Sequence, residues 1–173
     1  ACGFRSPVTV NDPRRPVLEV LDAIVSGSGM PGGRLHEALR GGQLVYFVHG
    51  TPLLGLDPGA FIIYAGTAPD RVAQVRAEIE RIVADLATTA PSAEELARGK
   101  RMAVISEEMA LQTNASLAQA IALDVTYGLG ADNWERYAER VNAVTAEQVR
   151  QLAAEIFDRQ RATTVVTTPV AAQ

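Results

Sequence analysis

Apolar positions recur along the chain at spacings that divide it into helices and strands. Val17, Leu18, Val20, Leu21, Ile24 and Val25 repeat at helical spacing, which predicts a helix with one buried face behind a start at Asn11-Asp12-Pro13. Val72, Val75, Ile79, Ile82, Val83 and Leu86 form a second such stripe behind Thr67-Ala68-Pro69-Asp70. The charged residues between them, such as Arg76 and Glu80, read as a solvated face. Ser92 with Glu95 is a capping box that opens a third helical region, with Leu96, Met102, Ile105 and Met109 read as core. Thr113-Asn114 marks an interruption before Leu117, Ile121 and Val125, and Gly128-Leu129-Gly130 marks an end. Asp132 with Glu135, and Thr145 with Gln148, predict two further helix starts. These helices carry Trp134, Tyr137 and Val141, then Val149, Leu152, Ile156 and Phe157.

Strand signals are shorter. Cys2 to Arg5, Leu44 to Val48, Ala60 to Ala65 and Ala162 to Thr167 are short runs with β-branched or aromatic residues, and Asp57-Pro58-Gly59 turns the middle pair. Pro169 onward reads as a loose tail. Few strands separated by long helical stretches predict an α+β fold, with an antiparallel or mixed sheet and helices mainly on one face.

Composition narrows the function classes. The chain has 173 residues, enough for one domain with a real core. Sixteen basic and 20 acidic residues give a net charge of −4 with no basic run, which argues against nucleic acid as a partner. Cys2 is the single cysteine, so neither a disulfide framework nor a cysteine zinc site is available. No apolar run reaches the length of a membrane span, so a soluble protein is expected, with bacterial cytoplasm and periplasm both open.

Candidate chemistry concentrates between Gly27 and Gly66. Gly27, Gly29, Gly32 and Gly33 permit a tight turn before a short helix that ends at Arg40, and Tyr46 lies on the next strand. The glycine turn could also be a plain loop, or the ligand site of a binding domain, although no Walker or Rossmann pattern accompanies it. His36 and His49 stand outside any His-x-x-Glu-His arrangement, and no Gly-x-Ser-x-Gly elbow occurs.

The stretch GMPGGRLHEALR, the following tyrosine-bearing strand, and GAFIIYAGTAPD resemble the non-zinc-binding domain of the pitrilysin/insulinase zinc metallopeptidases, the family of mitochondrial processing peptidase. The likeness extends from GFRSP to the closing Thr-Val-Val. It implies a mixed, largely antiparallel sheet with helices on one face, a metallohydrolase half without a cofactor of its own. Zinc is then expected in a partner domain bearing His-x-x-Glu-His, in the same or another chain. The resemblance also implies that 1–173 is a single domain, a C-terminal fragment of a longer peptidase. Its other expected partner is a peptide or unfolded protein segment, and a homo-oligomer stays open.

In active members of the family, an arginine after leucine and a strand tyrosine hold substrate and assist the oxyanion; here these are Arg40 and Tyr46. The chain places one residue fewer between them than the family does and reads Gln43-Leu44-Val45 where Gly-Leu-Ala is usual. The alternatives are an Arg40 that simply tops a helix C-terminus and a Tyr46 in the core. At the level of the whole chain, the alternative is a non-catalytic scaffold homologue, like the core subunits of respiratory complexes.

Overall fold

A computed structural model describes residues 1–168; the tail read from Pro169 lies outside the described residues. Four strands form one sheet: β1 (Cys2–Ser6), β2 (Phe47–Leu53), β3 (Gly59–Gly66) and β4 (Thr163–Thr164). Their order is β2-β3-β1-β4, and every pairing is antiparallel. The alternation of β-strands puts Cys2, Phe4, Val48, Phe61 and Ile63 on one buried face. The opposite face is open, with Arg5, Phe47, His49 and Tyr64 exposed and Ile62 half-buried.

Helices cover only the buried face, as the apolar pattern predicts. The central one is α1 (Arg15–Ser26), which buries residues on nearly every side because it lies between the sheet and further helices. It contacts β2, α4 (Ala93–Ala110), α6 (Tyr137–Ala143) and α7 (Ala146–Ile156). Phe157, just after α7, sets its ring edge-on to Phe4 and Phe61 at centroid distances of 5.2 and 5.4 Å. The helix α3 (Val72–Thr88) packs against α7 and buries Val75, Ile79, Ile82, Val83 and Leu86. Gly99 of α4 lies where a Cβ would come within 2.8 Å of Ile24 Cγ1, so a glycine there lets α4 close on α1.

Several boundaries differ from the sequence reading, each for a local reason. The first helix begins at Arg15, not Pro13, because Asp12 folds back to accept the Arg14 backbone N–H at 2.7 Å. β2 begins at Phe47, since the Leu44 N–H is already bonded to Leu39 O at 2.8 Å. It continues through Pro52, which lacks an N–H and is tolerated because β2 is an edge strand. Thr67 does not cap α3; its hydroxyl donates to Leu44 O at 2.6 Å. Ser92 caps α4 through the Glu95 N–H, but the Glu95 carboxylate is held by Arg34. Thr145 and Gln148 complete a full capping box, whereas Asp132 makes no side-chain cap.

The largest departure concerns the helices read as core between 93 and 126. α4 buries only Gly99 and Ala103, and α5 (Asn114–Thr126) buries only Asp124. Ile105, Met109, Leu123 and Val125 are exposed. Ile105 and Met109 keep helical spacing, but no described residue covers them or Val125.

Candidate functional site

The segment from Gly27 to Tyr46 is built on two anchors. Gly27 closes α1 in the left-handed conformation, φ 79°, with its N–H on Ala23 O at 3.0 Å. Gly33, φ 76°, passes so near the end of α1 that a Cβ would lie 2.8 Å from the Ser26 and Gly27 nitrogens. Gly29 also has positive φ, whereas Gly32 is extended and any residue could adopt its backbone. The turn faces α4, where Ser106 donates to Ser28 O at 3.4 Å and Met102 lies against Gly32.

From this turn the chain enters a helix, α2 (Gly33–Leu35), that widens into a π-helical stretch, His36–Arg40. Leu35 and Leu39 are fully buried and fix the axis. The Gly41 N–H reaches His36 O at 3.0 Å and the Leu44 N–H reaches Leu39 O, both spanning five residues. Such wide turns occur often at functional sites. The sequence offers little warning of this one beyond Gly41-Gly42 at its end.

Across the loop that follows, Arg40 reaches the backbone just before Tyr46. The Arg40 guanidinium donates to the carbonyl of Val45 at 3.3 Å, the peptide directly before Tyr46. Thr67 and Arg71 hold the two preceding carbonyls, Leu44 at 2.6 Å and Gln43 at 2.6 Å. Three successive carbonyls are thus each gripped by a side chain, and Val45 between them is buried as a plug. Tyr46 extends the ladder, its N–H on Gly66 O at 2.8 Å, and its side chain is 68% exposed. Arg40 is exposed too. Tyr46 is therefore not a core residue, and Arg40 does more than end a helix.

Beside Tyr46, the open sheet face carries an aromatic cluster that sequence reasoning did not single out. His49 lies over Tyr64, its cross-strand partner, at 5.4 Å, and Phe47 is 6.1 Å from His49 and 6.3 Å from Tyr64. The Phe47 ring lies over Gly66, where a Cβ would stand 2.4 Å from Cε1. The signal was present as strand alternation: Phe47, His49 and Tyr64 share one face once the register is known.

The remaining polar features near this segment hold the scaffold. Arg34 forks onto Glu95 at 2.7 and 2.8 Å and reaches Asp85 with its other nitrogen. The Arg34 hydrogen bond holds the Glu95 carboxyl below the ordinary glutamate range. His36 is half-buried and His49 belongs to the aromatic cluster. Among the described residues, no three His, Cys, Asp or Glu side chains lie close enough together to hold a metal ion. The donor set of the described residues thus does not fit a zinc centre. No helix among these residues is long and apolar enough to cross a membrane.

The fold has many counterparts of known structure. A peptidase M16 inactive domain from Pseudomonas fluorescens aligns with 97% of this chain at TM-score 0.81 and 19% identity, although the chain spans only 42% of it. A protease from Helicobacter pylori aligns with 93% of the chain at TM-score 0.79 and 15% identity, the chain spanning 38% of its length. The inactive peptidase domain of a candidate zinc protease from Bordetella parapertussis aligns over 99% of this chain and 94% of its own, at TM-score 0.77 and 18% identity. No curated protein matches by sequence. The family model of the peptidase M16 inactive domain matches residues 1–103, from β1 into α4. The chain belongs to the peptidase M16 family, as an inactive domain.

Proposed function

We propose that this domain serves substrate binding and domain pairing in an M16 zinc metalloendopeptidase, while a separate His-x-x-Glu-His domain carries the zinc and the cut. The observation that carries the reading is the exposed pair Arg40 and Tyr46, with Arg40 at the end of a π-helical turn bonded to the carbonyl of the peptide that leads into Tyr46. A guanidinium keeps donors free after one long bond to Val45 O, and a phenol adds another; both suit a peptide carbonyl that gains negative charge. The metal, in the partner domain, would act as Lewis acid. The aromatic face next to Tyr46 gives an extended peptide an apolar surface to lie on. The exposed Ile105, Met109 and Val125 support the pairing role, since helices with uncovered apolar sides are usual at domain contacts.

Tyr46→Phe keeps the ring and removes only the hydroxyl donor. Reassembled with its zinc-bearing partner, the variant should melt as the parent does and turn over a peptide about a hundredfold more slowly, the size of one lost oxyanion donor. Full turnover in Tyr46→Phe would favour the scaffold alternative. The shape comparison leaves room for it, since Complex III2 from Candida albicans contains a chain that aligns at TM-score 0.76 and 16% identity.

A further inference from the structure

Away from this segment, α1, α5 and the stretch 129–137 enclose a cavity of about 340 Å³, within the range of small-ligand sites. Its upper wall is apolar and aromatic, with Leu123, Tyr127 and Trp134. Its floor is acidic, formed by Glu19, Glu107 and Asp124. A smaller cavity of about 170 Å³ reaches Glu19, Glu107 and Tyr137 from the other side.

The floor is short of positive charge. Arg15 is the cation paired into it, with Nε 2.8 Å from Glu19 Oε1. Glu19 Oε2 is out of reach of solvent, with the Tyr137 hydroxyl beside this carboxylate. Asp124 receives only the Asn133 amide at 3.0 Å, and among the described residues neither Asp124 nor Glu107 forms an ion pair. At the rim, Asp12 is paired with Arg14, and Arg140, which donates to Asn133 O, adds a second positive charge against the four carboxylates that line the cavity. Burial pushes the Glu19 and Glu107 carboxyls and the Tyr137 hydroxyl upward, with the Arg15 charge opposing the rise.

We propose that this cavity binds an organic cation, a guanidinium or ammonium head on an apolar stem. The head is held by Glu107 and Asp124, and the stem lies along Trp134, Tyr127 and Leu123. A bare metal ion does not suit it, because no three of these carboxylates converge to metal distance. A neutral or anionic ligand would bury the carboxylates further without a partner. A planar guanidinium or a multi-donor ammonium spans separated oxygens, and the aromatic wall favours a cation at its face. The head can come from a free amine or from an arginine or lysine of a polypeptide. The inference does not depend on Arg40 or Tyr46.

Trp134 is the single tryptophan, so its emission reports on this cavity alone. The chain is titrated with agmatine, with a capped Gly-Gly-Arg-Gly-Gly peptide, and with butylurea as a neutral control. A saturable change with agmatine, at a Kd of about 1 mM or tighter, is expected, with none for butylurea. A response to the peptide and not to agmatine assigns the cation to a polypeptide side chain. Glu107→Gln should weaken binding about tenfold or more, one charged contact being lost. Leu123→Arg, at an exposed wall position, should block the site with a tethered guanidinium and serves where Glu107→Gln fails to fold. The proposal is overturned if neither cationic probe saturates, if butylurea gives the same response, or if a folded variant keeps full affinity.

Discussion

Arg34 grips Glu95 through two parallel bonds, Nε to Oε1 at 2.7 Å and Nη2 to Oε2 at 2.8 Å, and so ties α2 to the start of α4. Both side chains are mostly buried, at 19% and 15% exposure, so removing one leaves the other charged and unpaired in a poor environment. Arg34→Ala should cost about 2–4 kcal/mol in a denaturant titration. Arg34→Lys, which keeps the charge and loses the fork, should recover only part of this. Because the folded Glu95 carboxyl titrates below its unfolded value, the bond's contribution is present above that value and fades as pH falls through the folded one.

Asp22 acts in the opposite sense. Burial raises its carboxyl to about 6, and the Ser26 hydroxyl 2.6 Å away opposes that only in part. The same hydroxyl lies 3.1 Å from Gly50 O and has one proton to share. A protonated Asp22 donates to Ser26 and lets Ser26 donate to Gly50. Stability from this group is therefore complete below the unfolded carboxyl value and is lost as pH rises through about 6. Asp22→Asn should raise stability at pH 8 by about 1–2 kcal/mol, with the advantage shrinking toward pH 4. A variant that is equally destabilised at both pH values would show that the carboxylate itself is needed.

The sheet makes a sharp contrast between neighbours. Ile63 faces the helices and is fully buried, whereas Ile62 faces the open side and is half-buried. Ile63→Asp should prevent folding, because it places an unpaired charge in the core. Ile62→Asp should leave a cooperative melt. Circular dichroism melts of the two side by side decide this, and equal behaviour would contradict the register.

Thr67 tests whether the loop positions Arg40 and Tyr46. Its hydroxyl bond to Leu44 O is the shorter companion of the Arg40 bond to Val45 O. Thr67→Val keeps the shape and removes the donor, at a cost of about 1 kcal/mol in stability. If the loop orients Tyr46 for substrate, turnover of the reassembled enzyme should drop well beyond what that small loss explains. Unchanged turnover would separate the loop from the chemistry.

The repeating apolar positions of α1, α3 and α7 were enough to place those helices and their buried faces, because a helix that packs on a sheet must show a stripe at its own period. Thr145 and Gln148 were legible for a similar reason, since a capping box needs only residues three apart. The same local logic failed at Glu95, whose carboxylate had a stronger partner in Arg34, distant in sequence and invisible until the chain folds. It failed again for Ile105, Met109 and Val125, which sit in helical patterns but have no cover among the described residues. Arg40 and Tyr46 could be named from the resemblance alone. The placement of the backbone between them depended on the Thr67 bond to Leu44 O and the Tyr46 bond to Gly66 O, which exist only once the chain after Tyr46 has folded back alongside. The acidic cavity lies further still from sequence reach. Glu19, Glu107 and Asp124 belong to different helices, each charge innocuous on its own, and only tertiary packing withdraws the water that would have neutralised them.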